Sequence, residues 1–448
     1  MTPEAPSRRM RAESERSERR SPDDLRGLRG ASERRAARPR SAQGPKAPRA
    51  PAGRVEANPE GVSGAARPKA EPLGKNTENP SGDGSRVDRR RGRFALREVL
   101  RAVTTVRRCS GCGNWRVPGV GEPTVAVKAT ETGNVAHFQG VQLCGRIWIC
   151  PVCGPRIRAV RSEDLNSACA EWIRHHGDGS VLLLTLTLPH DFGEKLTTLL
   201  DITRAGFATI VSGRAWQRVK RDFGLVHYVR AHDFTVGPNG WHPHLHVALF
   251  ASHALTESNL AALETRMHSQ WARAVSKHGH REPDRRHGVK LEQARSRADI
   301  ARYVSQVIVG SGDHSANLAN ELARSDLKQS HHLGHRTPWQ VLASLAESGD
   351  TADLAIWHEW EAATRGVHAI RWSNGLRRAV GLGKQATDEE IAASEVGGNV
   401  VYRFDSGEWN VVRKIRGAPA RILELAENRG SEAVRAFVQR AVAPRPSG

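Results

Sequence analysis

The sequence predicts an α+β protein: an antiparallel sheet with flanking helices, a small Cys-rich zinc-ribbon-like element, and a disordered N-terminal tail. Three observations predict it. Two strand-like runs are joined by Gly237-Pro238-Asn239-Gly240, a strong turn signal that makes them an antiparallel hairpin. Five cysteines fall among turn residues between positions 106 and 158. Residues 1–95 carry 23 Lys+Arg against 13 Asp+Glu, with Phe94 their one aromatic side chain. Such a segment cannot bury enough apolar surface to offset the entropy lost on ordering.

The elements follow in order. Denser apolar content begins near Phe94, which divides the chain into a tail (1–95), a Cys-rich segment (96–160), a main domain with a helical extension (161–382) and a C-terminal region of unassigned role (383–448). Arg158–His175 reads as a helix. Val181–Leu188 reads as a strand with Thr185 and Thr187 on one face, since a strand repeats its facing every two residues. Leu196–Asp222 is helical with Gly213 as its weak point. Val226–Val236 and His242–Phe250 are the hairpin strands. Leu255–Lys277 is a helix, Val289–Gln293 a short strand, and Ser296–Ile308 a helix. Pro338–Leu376 is mainly helical and Trp-rich, and Asn399–Arg413 is the last strand-like piece.

Charge and length bound the function. The 448 residues carry a net charge of +20 and a pI near 10.6, which favours a polyanionic partner, most simply nucleic acid. No apolar run of membrane-spanning length is present, and no signal peptide is visible at the charged N-terminus. A cytoplasmic location is therefore expected, with reduced cysteines that suggest metal before disulfide.

The hairpin carries the candidate chemistry. In an extended strand, residues i and i+4 lie roughly 13 Å apart and i and i+2 about 6.6 Å. His242 and His246 are thus too far apart to share an ion, and His244 with His246 is the better pair. If Val236 pairs with Trp241 across the turn, Asp233 lies opposite His244 and points to the same face. The resulting two-His, one-carboxylate set suits Mg²⁺ or Mn²⁺ with open positions for phosphate oxygens. Separately, Cys109-Ser-Gly-Cys112 and Cys150-Pro-Val-Cys153 are paired CxxC knuckles. They read as four thiolate ligands, Cys109, Cys112, Cys150 and Cys153, of a structural Zn²⁺, with Cys144 a spare or alternative ligand. Trp115, Arg116, Arg146 and Trp148 are candidates for stacking and phosphate contacts to DNA.

Three stretches in this order resemble the HUH endonucleases, and most closely the rolling-circle plasmid Rep proteins of actinobacteria. Val181–His190 is similar to the first motif, a core strand. Gly240–Phe250 is similar to the HUH motif, with His244-Leu245-His246 as its namesake. Ile300–Gln306 resembles the third motif, where Tyr303 stands at the nucleophile. The likeness spans roughly residues 105–382. It implies an HUH/RRM-like catalytic core, a divalent ion at His244, His246 and Asp233, and attack by Tyr303 on an origin phosphate in single-stranded or hairpin DNA. It also implies that Asp299, one helical turn before Tyr303 on the same face, activates water to end the cycle. Host helicase and polymerase are the further partners such an initiator implies. Two positions depart from the family: Asp233 stands where glutamate is usual, and Gln306 where lysine is usual. Other readings are another HUH enzyme, a transposase or relaxase, or a non-catalytic zinc-containing DNA-binding regulator.

Overall fold

The computed structural model describes residues 83–131, 133–293, 334–394 and 396–443. The chain divides into two units, Met1–Lys75 and Asn76–Gly448, and every described residue lies in the second. Its elements are α1 (Asp83–Val103), α2 (Arg107–Ser110), β1 (Thr124–Thr130), β2 (Gly133–Gln139), α3 (Cys153–His175), β3 (Ser180–Thr187), α4 (Leu196–Ile210), α5 (Gly213–Phe223), β4 (Leu225–Gly237), β5 (Gly240–Ala251), α6 (Glu257–Lys277) and β6 (Val289–Gln293). Beyond residue 333 follow α7 (Pro338–Ser348), α8 (Thr351–Ala363), β7 (Ile370–Trp372), α9 (Leu376–Ala379), α10 (Asp388–Ala393), β8 (Asn399–Arg403), α11 (Ser406–Val412) and α12 (Ala418–Val442).

The main sheet has the order β6-β3-β5-β4-β7, with every neighbouring pair antiparallel. Helices cover both faces, because each strand alternates two sets of apolar residues. Leu182, Leu184 and Leu186 of β3 join Leu245, Val247 and Leu249 of β5 under α4, α6, α7 and α8. Val181 and Leu183 join Val229, Ala231, Ala248 and Phe250 under α3 and α9. On this second face the chemistry changes halfway along. The next rows are His246 with Thr185 and Ala231, then His244 with Thr187 and Asp233. The face is thus apolar beneath Trp172 and Leu165 of α3 and polar at the end toward the hairpin turn.

Pro243 stands inside β5, a strand with neighbours on both sides. Proline cannot donate to a ladder, yet here nothing is lost on the β3 side, because the β3 pairing ends at Thr187↔His244. Pro243 pairs only with Phe234 of β4. The long helical run expected over 196–222 is split at Val211 and Ser212, and Gly213 opens α5 with φ +66°.

A second sheet, β2-β1-β8, packs on α1, α11 and α12 through Phe94, Val125, Phe404, Trp409, Ile422 and Val438. It corrects two sequence expectations and places a region whose role the sequence left open. Residues 83–95 are helical rather than part of a disordered tail. Their arginines are neutralised from the far end of the chain: Arg90 by Glu427 and Arg91 by Glu424. The C-terminal region, unassigned from the sequence, contributes β8, which pairs with β1. Of the strand-like run 399–413 only five residues are extended, because Asp405 and Glu408 form a capping box that starts α11. A further strand missed in the helical extension, β7, adds to the exposed edge of β4 through three residues.

Glu427 is the polar centre of this second core. It is buried and accepts from Arg90 at 2.8 and 2.5 Å and from the Ala136 backbone N–H at 2.7 Å. Glu427→Ala strands a partly buried guanidinium and a buried amide, and is expected to cost about 2–4 kcal/mol. Urea unfolding checks this: the midpoint should drop with little change in slope.

Candidate metal centres

The hairpin has the register that its turn chemistry implies. Val236 pairs with Trp241 and Asp233 with His244, and Gly237 pairs with Gly240, which leaves Pro238-Asn239 as the turn. Asp233, His244 and His246 are therefore brought to one face. Asp233 Oδ2 lies 3.8 Å from His246 Nε2. Two donors held about 2.0–2.2 Å from one ion can be at most about 4.4 Å apart, so this pair's spacing is compatible with a shared ion. The other carboxylate oxygen, Oδ1, accepts the Phe234 backbone N–H at 3.0 Å, which fixes the direction of Oδ2. The His244 and His246 rings are nearly parallel, at 22° and 6.1 Å between centroids, and the three residues do not converge as closely as the cysteines described below.

Two threonines hold these rings from the neighbouring strand. His246 Nδ1 lies 3.1 Å from Thr185 Oγ1, and His244 Nδ1 lies 3.3 Å from Thr187 Oγ1. With the ring proton on Nδ1, each imidazole donates to its hydroxyl, and Nε2 is the nitrogen a metal would take. Metal-ligating histidines are oriented in this way by an acceptor behind them. The sequence placed both threonines on one face but gave no sign of this role.

The histidine series continues past the pair. His242 stacks on His244 at 4.1 Å, and His190, in the loop after β3, lies 4.4 Å from His242. Burial, together with the neighbouring His244 and His190, pushes His242 down to about 3, so this ring is neutral. Tyr303, Asp299 and Gln306 lie outside the described residues.

The second centre lies in the Cys-rich element. Cys112, Cys144, Cys150 and Cys153 are buried, and their sulfurs all lie within 4.8 Å of one another. Among the described residues no other such group of three or more His, Cys, Asp or Glu meets that limit. Cys112 Sγ is 3.5 Å from Cys153 Sγ and 3.6 Å from Cys150 Sγ, close to the roughly 3.8 Å between thiolates on one tetrahedral zinc. This four-thiol cluster can hold a metal ion such as zinc. Membership differs from the sequence expectation: Cys144 takes the place that the CxxC spacing gave to Cys109. Cys109 is also buried; its hydrogen bond to Cys144, with that of Cys112, pushes the Cys144 thiol up. Hydrogen bonds from Cys144, Cys150 and Cys153 hold the Cys112 thiol well below its ordinary value.

Arg97 supports a charged occupant here. Its side chain is 1% exposed, and its Nε and one terminal nitrogen have no hydrogen-bond partner among the described residues. Its one hydrogen bond is to the Gly113 carbonyl, at 3.5 Å. Burial pulls it down to about 10, with Arg101 adding to the fall and Cys112 opposing it. Arg101 donates to the Cys112 carbonyl at 3.1 Å. Two guanidinium groups against four sulfurs suit the net negative charge of a metal bound by four thiolates.

Of the other sequence candidates, Trp148 is buried. Its ring donates to the Val367 carbonyl at 2.7 Å and meets Phe234 edge-on at 5.3 Å, so it braces β4 from behind rather than stacking on DNA. Arg116 pairs with Glu122. Trp115 is at the surface. No helix among the described residues is long and apolar enough to cross a membrane.

Fold and site together define a mixed α+β protein with two candidate metal centres, one on the open end of a central hairpin and one at a cysteine cluster. The chain is 30% identical over 375 residues to Protein rep of Streptomyces lividans, covering 69% of this chain and 79% of that protein. It belongs to the Rep family of plasmid replication initiators. It is also 30% identical over 135 residues to Protein rep of Lentilactobacillus hilgardii, covering 28% of this chain and 41% of the relative. A Neomycin resistance protein of Streptomyces cyanogenus is 33% identical over 143 residues, covering 26% of this chain and 32% of its own length. No protein-family profile matches the chain, and no solved structure matches it significantly.

The cysteine assignment has a direct check. Elemental analysis of the purified chain should find tightly held metal, zinc being the expected element. Cys144→Ser should lose most of it, and Cys109→Ser should keep it.

Proposed function

We propose that the chain starts rolling-circle replication of a plasmid by nicking one DNA strand at the origin, with Tyr303 as nucleophile. The observation that supports this most is the alignment of Asp233, His244 and His246 on the polar end of the β4-β5 face, with Thr185 and Thr187 behind the rings. A two-His, one-carboxylate set suits Mg²⁺ or Mn²⁺. When bound there, such an ion polarises a phosphodiester and offsets the charge that develops on it.

The remaining steps belong to the chain's own residues. The Tyr303 phenol oxygen bonds to phosphorus as the bond from phosphorus to the 3′ oxygen breaks. The phenol gives up its proton and the departing oxygen takes one, so the step balances. Its products are a 5′-phosphotyrosine and a 3′-OH that primes synthesis. A phenol of pKa about 10 is mostly protonated near neutral pH, so its proton must be drawn off as the bond forms. Covalent capture keeps the phosphodiester energy for rejoining. Asp299, one turn from Tyr303 in the expected helix, takes a proton from the attacking water or hydroxyl that later releases the strand. Host helicase and polymerase would extend the primed strand. The four-thiol centre serves as a structural zinc site.

The convergence of the cysteine quartet, tighter than that of the histidine set, favours one other reading: a zinc-containing DNA-binding regulator without catalysis. One experiment separates the two. The full chain is incubated with a labelled single-stranded origin oligonucleotide and Mn²⁺ or Mg²⁺, beside Tyr303→Phe, and resolved on a denaturing gel. The expected result is a metal-dependent covalent adduct on the 5′ end of the downstream fragment, absent in Tyr303→Phe. Tight binding with no adduct under either metal would overturn the nicking mechanism and leave the regulator.

The threonine brace gives a second expectation. Thr185→Val removes the acceptor behind His246 and should weaken Mn²⁺ binding by about 10- to 100-fold, read by calorimetry. Thr185→Ser should restore most of it.

A further inference from the structure

We infer that Phe192 is a stacking platform for one unpaired base of the DNA strand, held at the rim of the histidine face. The inference rests on the reading of the chain as a protein that acts on single-stranded origin DNA. Phe192 is 84% exposed, more than any other large apolar side chain among the described residues. Aromatic side chains are normally driven inward or against a partner.

The loop that carries it is not slack. The Asp191 N–H donates to Glu194 Oε2 at 2.6 Å, and the Glu194 N–H donates back to the Asp191 carbonyl at 3.2 Å. Glu194 is tied to His280 at 3.0 Å. Arg281 donates to Asp191 Oδ1 at 3.1 Å and to the His190 carbonyl at 3.4 Å. Beneath the loop lies the hairpin turn. Gly240 has φ +87°, and a Cβ there would lie 3.2 Å from the Asp191 carbonyl oxygen and 3.6 Å from Phe192 Cα. The backbone of Phe192 is therefore pinned against the tip of the hairpin whose strand bears His242, His244 and His246. Two residues before it, His190 begins the ring series that reaches His244.

The surroundings select the partner. The flanking residues Asp191, Gly193 and Lys195 are all exposed, so the apolar patch is one side chain wide, too small for a protein interface. A single rigid aromatic ring suits one base stacked on it, with the base's phosphate toward the Arg281 guanidinium held at the adjoining Asp191. Stacking of this kind tolerates any base, so Phe192 positions the strand without reading its sequence.

The test uses the full chain without added divalent metal, so that binding is read apart from cleavage. The fluorescent base aminopurine is placed at successive positions of a single-stranded origin oligonucleotide. The wild type should quench one position strongly. Phe192→Ala should lose that quench and weaken binding by about 5- to 150-fold, with thermal stability unchanged because the side chain is in solvent. Phe192→Trp should restore both. Wild-type affinity and an unchanged quench pattern in Phe192→Ala would overturn the stacking role while leaving DNA binding intact. No binding of the single strand by the wild type would overturn the stacking role and the DNA reading together.

Discussion

The pairing of β5 between β3 and β4 is the constraint on which the rest depends. Side chains alternate faces along a strand, so a slip of one residue would send His244 and His246 into the opposite face. Two local features lock the register. Gly237 and Gly240 close the turn as a pair, and Pro243 is tolerated only where β3 has already ended. Given that register, each histidine finds a threonine on one side, and the Asp233–His244 row brings a carboxylate from the other. The helix α3 then covers the apolar half of the same face.

That much was legible in the sequence because it is local. The turn residues, the two-residue period and the ten positions between Asp233 and His244 fix the hairpin set without knowledge of the fold. The helices between residues 153 and 277 and the short strand β6 were legible for the same reason. What needs distant partners was not. Thr185 and Thr187 meet rings 61 and 57 residues away, and no pattern in either segment announces the other. The arginines of α1 resemble a solvated tail until Glu424 and Glu427 are brought beside them. The sheet β2-β1-β8 joins segments from both ends of the chain, and β8 has exposed or half-buried residues only, so its alternation is weak. The exchange of Cys144 for Cys109 has a related cause. Spacing groups cysteines by sequence, whereas Gly113 and Gln142, joined by a backbone hydrogen bond of 2.7 Å, bring the Cys144 segment beside Cys112.

The two centres are mechanically connected without sharing a ligand. The cysteines belong to the same core as Leu245, Phe234 and Trp241. Trp148, two residues before Cys150, packs on Phe234 and Trp360, and Trp360 meets both Phe234 and Trp241. This aromatic cluster lies behind the hairpin, directly beneath the residues that alternate with Asp233 and His242. Aromatic contacts of this kind are rigid and geometry-specific. The Cys-rich element therefore packs, through Trp148, against the back of the strand that carries Asp233.

That rigidity bears on the aspartate at position 233. A carboxylate one methylene shorter than glutamate reaches less far, so its position depends more closely on the backbone that carries it. Here the Phe234 N–H holds Oδ1 and Oδ2 already stands 3.8 Å from His246 Nε2, so the shorter side chain reaches its partner without extension. A glutamate would add one more rotatable bond to be ordered and would move its oxygens beyond the amide that now orients them. The short carboxylate is consistent with its strand because Phe234 is clamped from behind: the side chain that could drift is short, and the backbone that carries it is held.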